Sequence, residues 1–85
     1  MAEISRFYGI IISMFGNEHN PPHFHIKYGN YKAMYFINNG IIKGEMPIKV
    51  LKRVYEWVEF HKEELIQEWE KAQNGENINK IEPLK

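Results

Sequence analysis

Three imidazoles fall within seven positions, in the run His19-Asn20-Pro21-Pro22-His23-Phe24-His25, and the whole chain of 85 residues has only four. A site of three nitrogen or oxygen ligands with one position open for water is the usual form of catalytic zinc and of non-haem iron. His19, His23 and His25 are therefore the candidate metal ligands, with zinc or iron as the expected ion. Glu18 is a candidate fourth ligand or general base. Water bound to such an ion titrates near neutrality and can attack an ester or amide. The competing reading is structural. The histidines would then hydrogen-bond the loop backbone and, with Pro21-Pro22, stiffen it. An H-x-H pair alone is a weak motif, because the rest of the ligand set must be guessed.

The pair needs a strand beneath it. His23 to Tyr28 alternates: Phe24, Ile26 and Tyr28 take one side, while His23, His25 and Lys27 take the other. Side chains two apart on a strand share a face, so both imidazoles should share one surface. Gly29-Asn30 fits a two-residue turn with glycine first, and Asn39-Gly40 is the strongest hairpin signal in the chain. These turns predict strands over 23–28, 31–38 and 41–45. They set Tyr28 opposite Tyr31, Ile26 opposite Ala33 and Phe24 opposite Tyr35. The side carrying Phe24 is the expected core. Ile4 to Phe15, rich in β-branched and aromatic residues, reads as one long strand. The loop 16–22 joins it to the histidine strand.

Pro47 is expected to open a long helix, at the position where a missing N–H costs nothing. Leu51, Val54, Val58, His61, Leu65, Trp69 and Ala72 follow a helical stripe, and Asn74-Gly75 supplies a C-cap. A kink is expected near Phe60. His61 is a candidate partner behind the metal ligands. The predicted architecture is α+β: an antiparallel sheet of about four strands, then one long C-terminal helix packed on one face. Residues 1–75 form the expected single domain, and 76–85 a tail that Ile78, Ile81 and Leu84 could dock.

The helix also suggests a partner. Lys49, Lys52 and Arg53 stand near its start, and Glu56, Glu59, Glu63, Glu64, Glu68 and Glu70 follow. That order opposes the helix dipole. Val50, Trp57 and Phe60 fall on a facet beside the stripe, where large apolar groups act as interface anchors. An antiparallel contact with a second copy would place basic starts against acidic ends. Val50, Trp57 and Phe60 are the candidate partner-binding residues, for a homodimer or a small protein partner.

Composition removes several classes. Lys plus Arg is 11, Asp plus Glu is 11 and the formal net charge is +0, so no global field draws in nucleic acid. A local patch of Lys27, Lys32, Lys43, Lys49, Lys52 and Arg53, with Tyr28 and Tyr31 to stack on bases, keeps that reading open but not favoured. There is no cysteine, hence no disulfide or thiolate site. The chain contains no Asp, so a Ser–His–Asp triad is unavailable. No phosphate-binding glycine loop is present. No apolar run has membrane-spanning length, and the first residues lack a signal-peptide layout. A soluble, cytoplasmic protein is expected.

The stretches EISRFYGIIISMFGNEHNPPHFHIKYGNYKA, MPIKVLKRVYEWVEFHKEELIQEWEKAQNG and KIEPL resemble the family called domain of unknown function 4160. The N-x-H-N-P-P-H-F-H signature is the specific part, carried by Asn17 to His25. The helix pattern matches as Glu56-Trp57, His61 and Glu64-Leu65. The resemblance implies a compact α+β domain from a prokaryote, encoded beside another small protein in a toxin–antitoxin-like pair. It marks His19, Pro21, Pro22, His23, His25, Trp57, His61 and Trp69 as pattern positions without roles, and it brings no activity. Two functional readings follow. One is a small interaction module, possessing a protein partner or pairing with itself. The other is a small metal-dependent hydrolase or nuclease built on the histidines.

Overall fold

The apolar stretch expected as one strand is a hairpin. The structure, a computed structural model, describes residues 2–85. It divides the stretch into β1 (Ala2–Phe7) and β2 (Ile10–Met14), paired antiparallel with Phe7 opposite Ile10. Tyr8 and Gly9 make the turn, both left-handed, with φ of 51° and 77°. That is the pattern of a two-residue hairpin turn whose twist matches its strands. A bulky residue rarely takes this conformation. The Tyr8 ring here lies under the Arg53 guanidinium, 3.9 Å from the ring centroid. A contact from the helix thus holds a turn that local sequence does not announce.

The remaining strands are β3 (His23–Tyr28), β4 (Tyr31–Phe36) and β5 (Ile42–Gly44). The sheet is an antiparallel meander in the order β1-β2-β3-β4-β5, five strands where about four were expected. Its central register is the predicted one: His23 pairs with Phe36, His25 with Met34, Lys27 with Lys32, and Tyr28 with Tyr31. Gly29 takes φ 57° at the first turn position. The second hairpin differs in loop length. Tyr35 pairs with Ile42, and the amide of Phe36 donates to the carbonyl of Ile41, so Ile37 to Gly40 form a four-residue loop. Asn39 Oδ1 accepts the Ile41 amide at 3.1 Å, which favours this wider turn over the tight one.

Helix α1 (Ile48–Gln73) crosses the face that carries Phe24, Ile26 and Tyr35. Pro47 is its N-cap and not its first residue, so the helix starts one position later than expected. His61 breaks the helical geometry (φ −129°, ψ 15°), which places the expected kink. At the C-terminus the Glu76 amide donates to Lys71 and the Gly75 amide to Ala72, a Schellman closure with Gly75 at φ 75°.

The buried helix face holds Val50, Val54, Trp57, Val58, Leu65, Trp69 and Ala72. Two of the three expected partner-binding residues therefore belong to the core. Val50 is 2% exposed and Trp57 0%, while Phe60 is 72% exposed. For Trp57 the cause is a roof over that flank. Trp57 meets Phe7 (ring centroids 5.3 Å) and Phe24 (5.8 Å), and its indole N–H donates to the Glu82 carbonyl at 2.8 Å. Tail residue Ile81 is buried, and its amide donates to the Ile4 carbonyl at 2.7 Å. Glu68, itself buried, accepts the Asn79 amide at 2.7 Å. Residues 76–85 thus lie against both β1 and the helix. Among the described residues, no helix is long and apolar enough to cross a membrane.

Candidate functional site

The loop between β2 and β3 is seated on the last turns of the helix. A Cβ added to Gly16 would stand 2.8 Å from the Ala72 carbonyl oxygen, a distance that real Cβ atoms essentially never show. Glycine here lets the loop leave β2 against the helix. Gln73 Nε2 then donates to the Glu18 carbonyl (2.7 Å), and the Trp69 indole N–H donates to Asn20 Oδ1 (3.0 Å). The Asn20–Pro21 peptide is cis. Beyond it, the Ile37 amide donates to the Pro22 carbonyl and joins the loop to the residue that follows β4 (3.0 Å).

This seating turns Glu18 toward the sheet. Its Oε1 accepts from His25 Nε2 at 2.7 Å and lies 3.3 Å from His23 Nε2. Donor atoms of Glu18, His23 and His25 all lie within 4.8 Å of one another. His23 and His25 share one face as the strand period requires, with ring centroids 5.6 Å apart. His19 is not part of the group: its side chain is exposed, and Glu18 supplies the third donor instead. His61 is also elsewhere. Its Nδ1–H donates to Glu64 Oε1 at 2.8 Å, and its ring lies 5.7 Å from Trp57. The helix residue that does stand behind the cluster is Trp69, 5.0 Å from His23 by ring centroids.

The protons of His23 can be assigned by elimination. Its Nδ1 is 2.9 Å from the Pro21 carbonyl, which can only accept, so Nδ1 carries a hydrogen. Nε2 is buried, has no hydrogen-bond partner and points at the Glu18 carboxylate. In the neutral ring that atom is a lone pair facing an anionic oxygen, an arrangement that a proton or a metal ion between the two would satisfy. An Nδ1–H fixed by a backbone carbonyl is also how metal-binding imidazoles are oriented. Ligand atoms on a divalent ion with bonds of about 2.1 Å lie roughly 3.0–3.4 Å apart; the His23–Glu18 spacing of 3.3 Å falls in that range, and the His25–Glu18 hydrogen bond of 2.7 Å would have to open to admit an ion.

The surroundings are apolar on the inner side and open on the outer. The His23 side chain is 5% exposed and packs on Phe36, Trp69 and His25. Glu18 and His25 stay about one-third open to solvent. Burial is the largest single influence on the Glu18 carboxyl and pushes its pKa up. The hydrogen bond and charge of His25, with the smaller influence of His23 at 3.3 Å, together outweigh it, so Glu18 titrates below its ordinary value.

Five of the six cations considered for nucleic acid stand in two settings. Lys49 lies over the Tyr28 ring and Arg53 over Tyr8, beside the helix start. Lys27, Lys32 and Lys43 line the opposite, outward face of the sheet.

Sequence reasoning missed Asn20, Trp69 and Gln73 as supports of the loop. Only Trp69 carried a signal, an indole near the end of the helical stripe with an N–H that needs a partner. The family model described as a domain of unknown function (DUF4160) matches residues 9–70. No curated protein and no solved structure matches the chain.

Proposed function

The chain belongs to that family, and we propose that it is a metal-binding domain holding one divalent ion, zinc or iron, through Glu18, His23 and His25. The observation that carries this reading is the buried, unpartnered Nε2 of His23, aimed at the Glu18 carboxylate while Nδ1 is tied to Pro21. Two imidazoles and one carboxylate on one side leave positions for water or substrate, the layout of reactive rather than purely structural sites. A divalent ion there would supply Lewis acidity, and hydrolysis is the reaction class that needs no further cofactor. The protein's own part is to orient His23 through Pro21, to hold Glu18 by its main chain through Gln73, and to exclude water behind His23 with Trp69.

Calorimetric titration of untagged, chelator-treated protein with Zn²⁺, and with Fe²⁺ under anaerobic conditions, tests the reading. One ion per chain is expected, with binding lost in His23→Ala and kept in His19→Ala. Absence of binding, or equal binding in His23→Ala, overturns it.

A second reading concerns the outward face of the helix. Phe60 and Ile48 are each 72% exposed, among the basic start and acidic middle of α1. This charge order is self-complementary for an antiparallel contact between two copies. Such a face is also where the product of a paired gene would dock. Light scattering on the native protein and on Phe60→Ser tests the homodimer, and a monomer mass for both removes it.

A further inference from the structure

The outward face of the sheet carries a groove of about 480 Å³, and His25 is among its lining residues. Its floor is apolar, made by Ile11, Phe15 and Met34. Its rim is basic: Lys27, Lys32 and Lys43 line it, and no carboxylate does. None of these three lysines takes part in an ion pair among the described residues. Lys27 and Lys32 are directly opposite each other across β3 and β4. Like charges in that position repel and destabilise the pair. An anion between them removes the repulsion and gains charge-assisted hydrogen bonds. The volume falls within the range of about 300–1,000 Å³ usual for small-molecule sites, which are likewise apolar with few polar groups.

We infer that this groove binds a small organic anion, an aryl or acyl body carrying a phosphate or carboxylate. The charged group sits between Lys27 and Lys32, with Lys43 beside them. The apolar body lies on Ile11, Phe15 and Met34 and points toward His25. This deepens the metal-site reading and rests on it in one respect: His25 is shared, so the groove supplies the substrate class of that centre.

Binding is read by calorimetry at low salt with phenyl phosphate, benzoate, inorganic phosphate and phenol, on metal-free protein. Phenyl phosphate or benzoate should bind more tightly than inorganic phosphate or phenol, because each of those offers only half of the match. The double variant Lys27→Gln/Lys32→Gln should weaken that binding by roughly tenfold or more. Its melting temperature should not fall, since a repulsion has been removed, and its metal affinity should stay that of the native protein. Met34→Glu, which places an anion on the floor, should abolish binding of the organic anions. The inference is overturned if phenyl phosphate and benzoate bind no better than their halves, or if the double variant binds them unchanged. Preference for a single-stranded oligonucleotide over both small anions also overturns it, in favour of nucleic acid. The metal reading is separable, because Glu18→Gln should lose the ion and still bind phenyl phosphate.

Discussion

Trp69 and His23 face each other with ring centroids 5.0 Å apart and planes inclined at 49°. The indole N–H is at the same time the donor to Asn20 Oδ1. One side chain near the end of α1 therefore walls the inner side of the histidine cluster and ties down the loop that bears Glu18. Trp69→Phe keeps one ring in place but deletes the donor and part of the buried indole. The lost hydrogen bond and the cavity together should cost about 1–3 kcal/mol in a urea melt. Metal affinity by calorimetry should fall by roughly tenfold, as when a group supporting metal ligands is removed.

Gly16→Ala probes the same seat from the loop side. The new methyl would meet the Ala72 carbonyl oxygen at 2.8 Å, against helix backbone that cannot rotate away. The loop must lift, at a cost of about 1–3 kcal/mol. Quenching of Trp69 fluorescence by acrylamide should rise in this variant. Unchanged stability and quenching would show that the loop tolerates the shift.

Trp57 and Phe60 stand three positions apart on one helix and should behave oppositely. Trp57 is fully buried between Phe7 and Phe24, so Trp57→Ala should lose about 3–5 kcal/mol. Phe60→Ser, at an exposed position, should change monomer stability by no more than about 0.5 kcal/mol. Urea denaturation at low protein concentration checks both values apart from any self-association.

The Tyr35 phenol makes stability depend on alkaline pH. Burial, and secondarily the neighbouring Tyr55, holds its pKa above the ordinary 10.0. The folded state then keeps this proton after the unfolded chain has released it. The contribution is complete below the unfolded value and is lost as pH rises through the folded one. Tyr35→Phe removes the titrating group, so its stability should decline less steeply between about pH 9 and pH 11. Parallel slopes in thermal melts would contradict this.

The parts of this fold that follow local rules were readable from the sequence. Gly29-Asn30 set the pairing from His23–Phe36 to Tyr28–Tyr31, and with it the shared face of the two imidazoles. Asn74-Gly75 marked the end of the helix. The Tyr8-Gly9 turn was not readable, because a tyrosine takes a left-handed conformation there under a guanidinium from the helix. Glu18 and His19 are adjacent, and which one turns inward is decided by Gln73, 55 positions away. No local pattern carries that choice. Trp57 was misplaced for a related reason: the segment that covers it comes from the tail, 25 positions later.

The Ile81 amide that meets the Ile4 carbonyl has a consequence for aggregation. Fibrils assembled by strand addition grow by joining one free border of a sheet to another. Here the border beside β1 is occupied by the chain's own last residues, and the other, β5, is three residues long and ends in Gly44 at φ 114°. Stacking copies into a continuous ribbon would first require those last residues to peel away, which also strips the indole of Trp57 of its acceptor.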